Sequence, residues 1–322
     1  MAASGPTVLV TGGAGFAAGH LLDLLTGPGA SGVVSRVIAW HRPGGHAPTT
    51  TAAGAVDWTG VDLLDEPGVM RAIEARPPDH VYHLAGATHQ GKSFAQAAEV
   101  LRVNTMGTDV LLRALARHAP HARIIVTSTG FVYEPSDQAV GEDAALKPPS
   151  PYALSKLAQE LIARHAGATT PVQVIVCRAF NHLGPRQTAD YFAPNFARQI
   201  AAIARGAAEP VLKVGNLTGR RDLTDVRDVV RAYVDVMARG TAGEVYNVCS
   251  GTAHAVRDVL DGLIAISGVR VDVQVAPELL RPVDQPLLLG TRAKIGDATG
   301  WAPAIPLADT LRDLLAEWTA RG

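Results

Sequence analysis

A tyrosine and a lysine four residues apart are the side chains best placed for chemistry in this sequence. Tyr152 and Lys156 close the segment Ser150-Pro-Tyr-Ala-Leu-Ser-Lys156. On a helix, residues four apart share one face, so the lysine ammonium can lie near the phenol and favour its ionised form. An unperturbed tyrosine, with a pKa of about 10, is a poor acid or base at neutral pH. The spacing predicts a phenol that exchanges protons with a substrate, with an exposed helical pair as the structural alternative.

A glycine-rich turn near the N-terminus supplies the context for this pair. The β-rich run Thr7–Thr11 leads directly into Gly12-Gly-Ala-Gly15. A strand, a glycine turn and a helix in this order point backbone N–H groups and the positive end of the helix at a pyrophosphate. Gly12 and Gly15 fit the first two positions of a dinucleotide-binding motif, and Ala18 fits the third. The expected cofactor contacts in this turn are Gly12, Gly15, Phe16 and Ala17.

The end of the second predicted strand bears on which dinucleotide is bound. Arg36–Trp40 runs into His41 and Arg42, where an NAD-selective protein usually carries an acid for the ribose hydroxyls. Arg42, together with Arg36 or His41, can pair with a 2′-phosphate, which favours NADPH. A solvated loop arginine is the alternative, and a basic residue does not exclude NAD.

Composition narrows the class of protein. The chain has 322 residues, a net charge of −1, 47% hydrophobic residues and 18% charged residues, as expected of a folded α/β protein with ample core. The near-zero charge argues against nucleic-acid or membrane-surface partners. We expect a cytoplasmic location, because the sequence contains neither a secretory signal nor an apolar run near 20 residues. Cys177 and Cys249 are expected to be free, buried thiols, and the histidines show no metal-ligand spacing.

The order of strand and helix signals predicts how these residues are positioned. Strand-like and helical runs alternate, which predicts a Rossmann-like, doubly wound parallel sheet. After Arg178, irregular prolines and short strands predict a smaller C-terminal α/β lobe that binds substrate. The predicted division gives 1–177 plus about 222–249 to the dinucleotide domain, and about 178–221 plus 250–322 to the smaller lobe. Helices near 94–117 and 152–166 carry wide apolar stripes, which favours a homodimer through them.

Taken together, these segments resemble the extended short-chain dehydrogenase/reductase family that acts on nucleotide sugars, the epimerase/dehydratase group. The matching pieces are the glycine turn, Val61–Leu63, His83–Gly86, Asn104 with Gly107-Thr108, Thr127–Thr129, Tyr152 with Lys156, and Arg178–Asn181. The resemblance implies that Asp62 and Leu63 touch adenine. It implies that Thr129 hydrogen-bonds the reacting sugar oxygen beside Tyr152, and that Lys156 also holds the nicotinamide ribose. The remaining implied cofactor contacts are Leu84, Ala85, Gly86 and Thr127.

The C-terminal half resembles a narrower group, the enzymes of GDP-6-deoxyhexose synthesis, and among them the GDP-4-keto-6-deoxy-D-mannose reductases. A sugar-linked pyrophosphate needs converging guanidinium donors, which Arg221 and Arg281 can supply from different loops. For each arginine, a surface ion pair is the alternative. The full set of implied substrate contacts is Thr129, Asn181, Asn195, Arg198, Asn216, Arg221, Arg281 and Asp284.

The absence of one acidic residue helps to decide which reaction the sequence favours. The related 4,6-dehydratases carry an acid immediately after the catalytic threonine, whereas this chain reads Thr129-Gly130-Phe131. Without that carboxylate, proton abstraction at C5 and loss of the C6 hydroxyl lack their agents. The sequence therefore favours reduction of a GDP-4-keto-6-deoxy-hexose by NADPH, giving GDP-D-rhamnose. The alternatives are a 4-epimerase that retains NAD, a 4,6-dehydratase, and a non-catalytic NADP-binding protein.

Overall fold

The structure is a computed structural model, and it describes residues 5–28, 34–45, 55–88, 93–280 and 285–321. In the first half of the chain, strands and helices alternate as predicted. The strands are β1 (Thr7–Thr11), β2 (Arg36–His41), β3 (Val56–Gly60), β4 (His80–His83), β5 (Arg123–Thr129) and β6 (Gln173–Ala179). The helices are α1 (Phe16–Thr26), α2 (Glu66–Ala75), α3 (Ala97–His118) and α4 (Pro151–Thr169). The helices predicted near 94–117 and 152–166 are α3 and α4.

The second half contains shorter strands between helices. Its strands are β7 (Asn181–Leu183), β8 (Val211–Val214), β9 (Arg220–Asp225), β10 (Val245–Val248), β11 (Ala253–Ala255), β12 (Asp272–Val275) and β13 (Leu287–Leu288). Its helices are α5 (Phe192–Ala204), α6 (Val226–Arg239), α7 (Val256–Ser267), α8 (Ala293–Thr299) and α9 (Leu307–Ala320).

Seven parallel strands form the main sheet in the order β10-β6-β5-β4-β1-β2-β3. The connections run outward in both directions from β1, which pairs with β2 on one side and with β4 on the other. Ligands of open α/β sheets bind in the crevice at the carboxyl ends of the strands, where the order reverses. Thr11 and His83, which are register partners at the ends of β1 and β4, mark that point.

The main sheet is covered on both faces, which explains why the middles of its central strands, such as β1, are continuously apolar. Val8 and Val10 of β1 pack in one buried cluster with residues of α1 and α6. Leu9, between them, packs in the opposite cluster with residues of α2, α3 and α4. Successive side chains of a strand point to opposite faces, so a strand buried on both sides reads as a continuous apolar run. The doubly wound parallel sheet predicted from the sequence is thus confirmed.

The remaining elements form a smaller unit with its own core. β11, β9 and β13 lie side by side, β7 also pairs with β9, and β8 pairs with β12. Residues of α5, α7 and α9 share one buried cluster with these strands. The separate cores favour the predicted division into a dinucleotide domain and a substrate lobe, which we keep as a proposal with one correction. Ile295 of α8 and Trp301, which the division gave to the smaller lobe, pack in the core of the main sheet. Among the described residues, no helix combines the length and apolar composition that crossing a membrane requires.

A buried ion pair fastens α4 to β6. The Arg178 guanidinium donates to both carboxylate oxygens of Glu160, over 2.6 and 3.0 Å. It also donates to the Tyr133 hydroxyl and to the backbone oxygen of Glu142, both over 2.9 Å. Arg164 lies 4.0 Å from the same carboxylate, but its side chain is half exposed. Buried charges need this kind of complete pairing, so the network fixes how α4 sits on the sheet.

Candidate active site

A cavity of about 840 Å³ lies at the carboxyl ends of the central strands, between the sheet and the smaller unit. Residues that the sequence assigned to both cofactor and substrate line it. They are Gly12, Gly15, Phe16, Ala17, Arg42, Asp62, Leu63, Leu84, Ala85, Gly86, Thr127, Thr129, Tyr152, Lys156, Asn181, Asn195, Asn216 and Arg221.

The glycine turn has the geometry of an anion cradle. Gly12 has a φ of +70°, and a side chain there would come within 2.7 Å of the Ala85 backbone. A side chain at Gly15 would lie 3.0 Å from the Gly12 oxygen. The first hydrogen bond of α1 runs from Gly19 N to Gly15 O, so the amides of the first turn have no helical partner. These residues fit a dinucleotide pyrophosphate, because those amides and the helix dipole favour negative charge.

The end of β2 places one of the three candidate basic residues away from the cavity. Arg42 and His41 line it, and the His41 ring donates from Nδ1 to the Arg42 backbone oxygen over 2.9 Å. Arg36 does not line it and pairs with Asp57 at 3.4 Å on the surface. The expectation that Arg36 helps to bind a 2′-phosphate is therefore not supported by this geometry, whereas Arg42 remains a candidate for that contact.

The start of α4 sets Tyr152 against Thr129. Ser150 caps the helix by accepting from the Ala153 amide over 3.2 Å, and Pro151 fixes the first turn. The Thr129 side chain lies beside the Tyr152 phenol, and removal of the phenol from solvent raises the pKa of Tyr152. The two hydroxyls thus converge on one point of the cavity wall, with the phenol in its protonated form.

Lys156 behaves differently from the expectation. Its ammonium donates to the Gln159 side-chain oxygen over 2.7 Å, and burial lowers its pKa to about 7. The sequence predicted that Lys156 lowers the pKa of Tyr152, but desolvation dominates and raises it. Burial removes both groups from water, which raises the pKa of the phenol and lowers that of the ammonium. The ammonium bonds to the Gln159 amide, one turn further along α4.

The smaller unit contributes polar groups from α5 and from the strands around β9. Arg221 is buried, and its Nη1 donates to the Gln285 backbone oxygen over 2.7 Å. Asn195 donates from its amide to the Ala189 oxygen over 3.1 Å, and Asn216 accepts from the Thr218 amide over 2.9 Å. These bonds fix the side chains at the wall of the cavity.

One predicted substrate contact, Arg198, does not line this cavity. Arg198 is exposed and does not line the cavity, because on α5 it points away from Ala197 and Ile200, which face the core. Residues three apart lie only about 60° apart around a helix, so the spacing of Asn195 and Arg198 gave no sign that only Asn195 would line the cavity. Arg281 and Asp284 lie outside the described residues.

Several cavity residues were not anticipated from the sequence. Buried oxygens of Ser128, Asn181 and Gln187 have no hydrogen-bond partner among the described residues, so a ligand with donor groups would satisfy them. Of these, Ser128 and Gln187 were not predicted. Phe180, His182 and Tyr191 also line the cavity. These residues lie close to Asn181 and Gln187 in the sequence, which could have indicated them as cavity residues. However, polar loops that follow a strand have no fixed spacing, so the sequence does not show which of their residues line a cavity.

Phe180 occupies the space beside Gly130. A Cβ atom added to Gly130 would lie 2.9 Å from the Phe180 ring, which is closer than packed carbon atoms approach. Phe131, the next residue, also lines the cavity. The position after Thr129 would thus take a larger side chain only if that aromatic ring moved.

Comparison with known proteins places this geometry in a family context. The family model described as GDP-mannose 4,6 dehydratase matches residues 9–314. The chain is 36% identical to the GDP-6-deoxy-D-mannose reductase of Pseudomonas aeruginosa over 263 residues, which covers 81% of this chain and 86% of that protein.

Two solved structures are also similar to this chain over nearly its whole length. The structure of RMD from Pseudomonas aeruginosa complexed with NADPH is similar, with a TM-score of 0.85, 32% identity, and coverage of 98% of this chain and 100% of that one. The UDP-glucose 4-epimerase of Thermus thermophilus in complex with NAD has a TM-score of 0.83 and 28% identity, with 98% and 99% of the two chains covered.

Proposed function

Because the chain belongs to the GDP-mannose 4,6-dehydratase family of extended short-chain dehydrogenases/reductases, we propose that it reduces the 4-keto group of a GDP-4-keto-6-deoxy-hexose. The product is GDP-D-rhamnose when the substrate is GDP-4-keto-6-deoxy-D-mannose. The observation that carries the proposal is the hydroxyl pair of Thr129 and Tyr152, set beside a glycine against which the Phe180 ring packs.

The proposed chemistry needs one hydride and one proton at a sugar carbon. A bound nicotinamide supplies the hydride. Tyr152 donates its proton to the developing alkoxide, and its raised pKa keeps that proton in place before the reaction. Thr129 orients the carbonyl oxygen, so two hydroxyl donors stabilise the charge that forms there. Lys156, in the same cavity wall, holds the cofactor ribose.

Dehydration is disfavoured by the same geometry. A 4,6-dehydratase needs an acid after its threonine to expel the C6 hydroxyl, and Gly130 has no side chain. A Cβ atom added there would lie 2.9 Å from the Phe180 ring, so an acid would fit only if that ring moved. The cavity therefore suits a sugar that already lacks the C6 hydroxyl when it arrives.

The cofactor of the proposed reaction is NADPH, with NAD as the alternative. The glycine turn fits the pyrophosphate, and Asp62 and Leu63 line the same wall as Arg42. A guanidinium at the end of β2 pairs well with a 2′-phosphate. A similar solved structure carries NADPH, and another carries NAD.

The proposed substrate is a nucleotide sugar, GDP-linked by analogy with the Pseudomonas aeruginosa relative. Arg221, Asn195 and Asn216 line the part of the cavity formed by the smaller unit. A guanidinium with two amides suits a pyrophosphate between two sugars, since each offers N–H donors. A cytoplasmic location, where nucleotide sugars and NADPH are made, is part of this proposal.

The assay for the proposal uses purified protein, NADPH and GDP-4-keto-6-deoxy-D-mannose. Nicotinamide absorbance should fall in step with formation of a GDP-6-deoxyhexose detected by mass spectrometry. With GDP-mannose alone, no 4-keto-6-deoxy product should form, and adding a separate dehydratase should restore the flux. Turnover of GDP-mannose by the isolated protein, or no turnover of any GDP-linked 4-keto sugar, would contradict the proposal.

A nucleotide-sugar 4-epimerase is the second candidate, favoured by the structural similarity to the Thermus thermophilus enzyme. It uses the same hydroxyl pair twice and keeps its cofactor. The two are separated by denaturing the purified protein and identifying what it releases. Bound NAD, together with interconversion of two stable sugars without added reductant, would identify an epimerase.

A further inference from the structure

A chain of buried hydrogen bonds leads from Lys156 back to the end of β1. Lys156 donates to the Gln159 oxygen over 2.7 Å, and the Gln159 amide nitrogen donates to the Thr108 hydroxyl over 2.9 Å. The same hydroxyl lies 2.8 Å from Nε2 of His83, whose Nδ1 lies 2.7 Å from the Thr11 hydroxyl. All five side chains are buried. This series of hydrogen bonds therefore crosses the site from α4 to β1, the strand that leads into the glycine turn.

One set of donor and acceptor roles satisfies every bond in this series. The Thr108 hydroxyl donates its single proton to the Asn104 backbone oxygen over 2.7 Å, so it can only accept from Gln159 and His83. His83 therefore carries its proton on Nε2, and its Nδ1 accepts from Thr11. Gln159 must present its nitrogen to Thr108. Its oxygen is thereby left facing Lys156, and the amide has a single orientation.

We propose that Gln159 is a positioning residue that holds the Lys156 ammonium by one N–H and leaves the other two N–H groups directed at the cofactor. The inference rests on the proposed dinucleotide-dependent function and extends it to a residue that does not line the cavity. An ammonium has three donors and turns freely about its last bond. One fixed acceptor removes much of that freedom before a ligand binds, which reduces the entropy lost on binding.

Among the residues that the structure describes, no carboxylate performs this task in place of Gln159. The titratable groups around the ammonium are His83 on β4 and Tyr152 on α4 itself. His83 is neutral, because burial and the Lys156 charge lower its pKa to about 3. Glu160, the next residue on α4, is paired with the buried Arg178 of β6. The facing residues of α3, Asn104 and Thr108, carry no charge, so an amide oxygen is the acceptor that stabilises the charged lysine here.

The first test is a double-mutant cycle on NADPH binding, measured by calorimetry without substrate. Gln159→Leu should weaken binding about tenfold, the scale of one hydrogen bond to a charged group. In a Lys156→Met background the same substitution should have no further effect, because the group that Gln159 positions is absent. Gln173→Leu, an exposed glutamine on β6, is the control and should leave binding unchanged.

The second test needs no cofactor. The pKa of Lys156 is about 7 in the folded protein, below that of an unfolded lysine at about 10.4. The unfolded lysine then binds more protons between these values, so the contribution of Lys156 to the free energy of unfolding, measured as the difference between the wild type and Lys156→Met, should rise with pH across them. Without the Gln159 oxygen the folded pKa falls further, and the rise should begin at lower pH. Gln159→Glu should move it to higher pH, each Gln159 variant being compared with the same variant in a Lys156→Met background.

The outcomes separate this inference from the proposed function. If the wild-type protein does not bind NADPH, the function is wrong, and the pH series still tests Gln159. Equal weakening of NADPH binding by Gln159→Leu in both backgrounds, or a pH series that neither Gln159 variant moves, would overturn the positioning role. Should Gln159→Leu fail to fold, Gln159→Ala takes its place in the binding cycle, since it also removes the amide oxygen that accepts from Lys156.

Discussion

At the scale of single residues, the site is governed by the removal of water. Tyr152 and Lys156 both lose solvation in the cavity wall, and the loss acts on them in opposite directions. It raises the pKa of the phenol and lowers that of the ammonium to about 7. Both shifts favour the uncharged form. For a residue that must give up a proton only when an alkoxide forms, a protonated resting state is the useful one.

Tyr152→Phe should abolish most turnover while leaving NADPH binding intact. The substitution removes one hydroxyl and no packing volume, so the proton donor is lost and the cofactor contacts are kept. One general acid is worth about 10²–10⁴-fold in rate, and kcat should fall by that factor. Tyr82→Phe, the same change on buried β4 away from the cavity, should retain activity. Near-normal kcat in Tyr152→Phe would show that another group supplies the proton.

At the scale of secondary structure, α4 organises the site through its period. Tyr152, Lys156 and Glu160 follow one another at intervals of four, so they lie on one face of the helix. Its middle is fixed to the sheet by the pair of Glu160 and Arg178. Any shift of α4 would therefore disturb the hydroxyl pair and the buried ion pair together.

Two arginines that approach the same carboxylate allow a matched test of this anchoring. Arg178→Met should cost about 3–5 kcal/mol of unfolding free energy, because it leaves the Glu160 charge buried and without its main partner. Arg164→Met should cost about 0–1 kcal/mol, because that side chain is half exposed. Urea unfolding measures both. Equal, small losses would mean that the anchoring contributes little to stability.

Local patterns made the fold and the centre of the site predictable. The glycine turn and the Tyr152–Lys156 spacing each lie within one turn or helix, so the sequence displays them directly. Gln159 and Phe180 were missed because their roles depend on Thr108 and Gly130, which only folding brings near them. Arg198 was misplaced because a motif gives position along α5 but not the face that the side chain takes.

At the scale of the whole molecule, one surface is unusually apolar. Met106 on α3 and Leu154 and Leu161 on α4 are all exposed, with Leu161 55% accessible. The two helices pack side by side on one face of the sheet, so these side chains lie on adjoining helices. Large exposed apolar side chains grouped in this way favour association. The homodimer predicted from the sequence therefore remains our proposal for this face.

Leu161→Glu should dissociate the proposed dimer, because a carboxylate would be buried in an apolar contact. Size-exclusion chromatography with light scattering should give about twice the chain mass of 33.6 kDa for the wild type and one chain mass for the variant. Ile266→Glu, which changes an exposed residue of α7 in the other unit, should stay dimeric. A monomeric wild-type protein would rule out this interface.

The return of β10 to the main sheet also affects how the chain is made. β10 pairs with β6 only after the chain has passed through β7, β8 and β9 of the smaller unit, and α6 arrives just before it to cover α1. Ribosomes add about 5–20 residues per second, and domains tend to fold as they emerge. A nascent chain ending just before Val245 would contain α6 but would expose the β6 edge. Interrupted synthesis should therefore leave fragments that recruit chaperones or aggregate through that open strand.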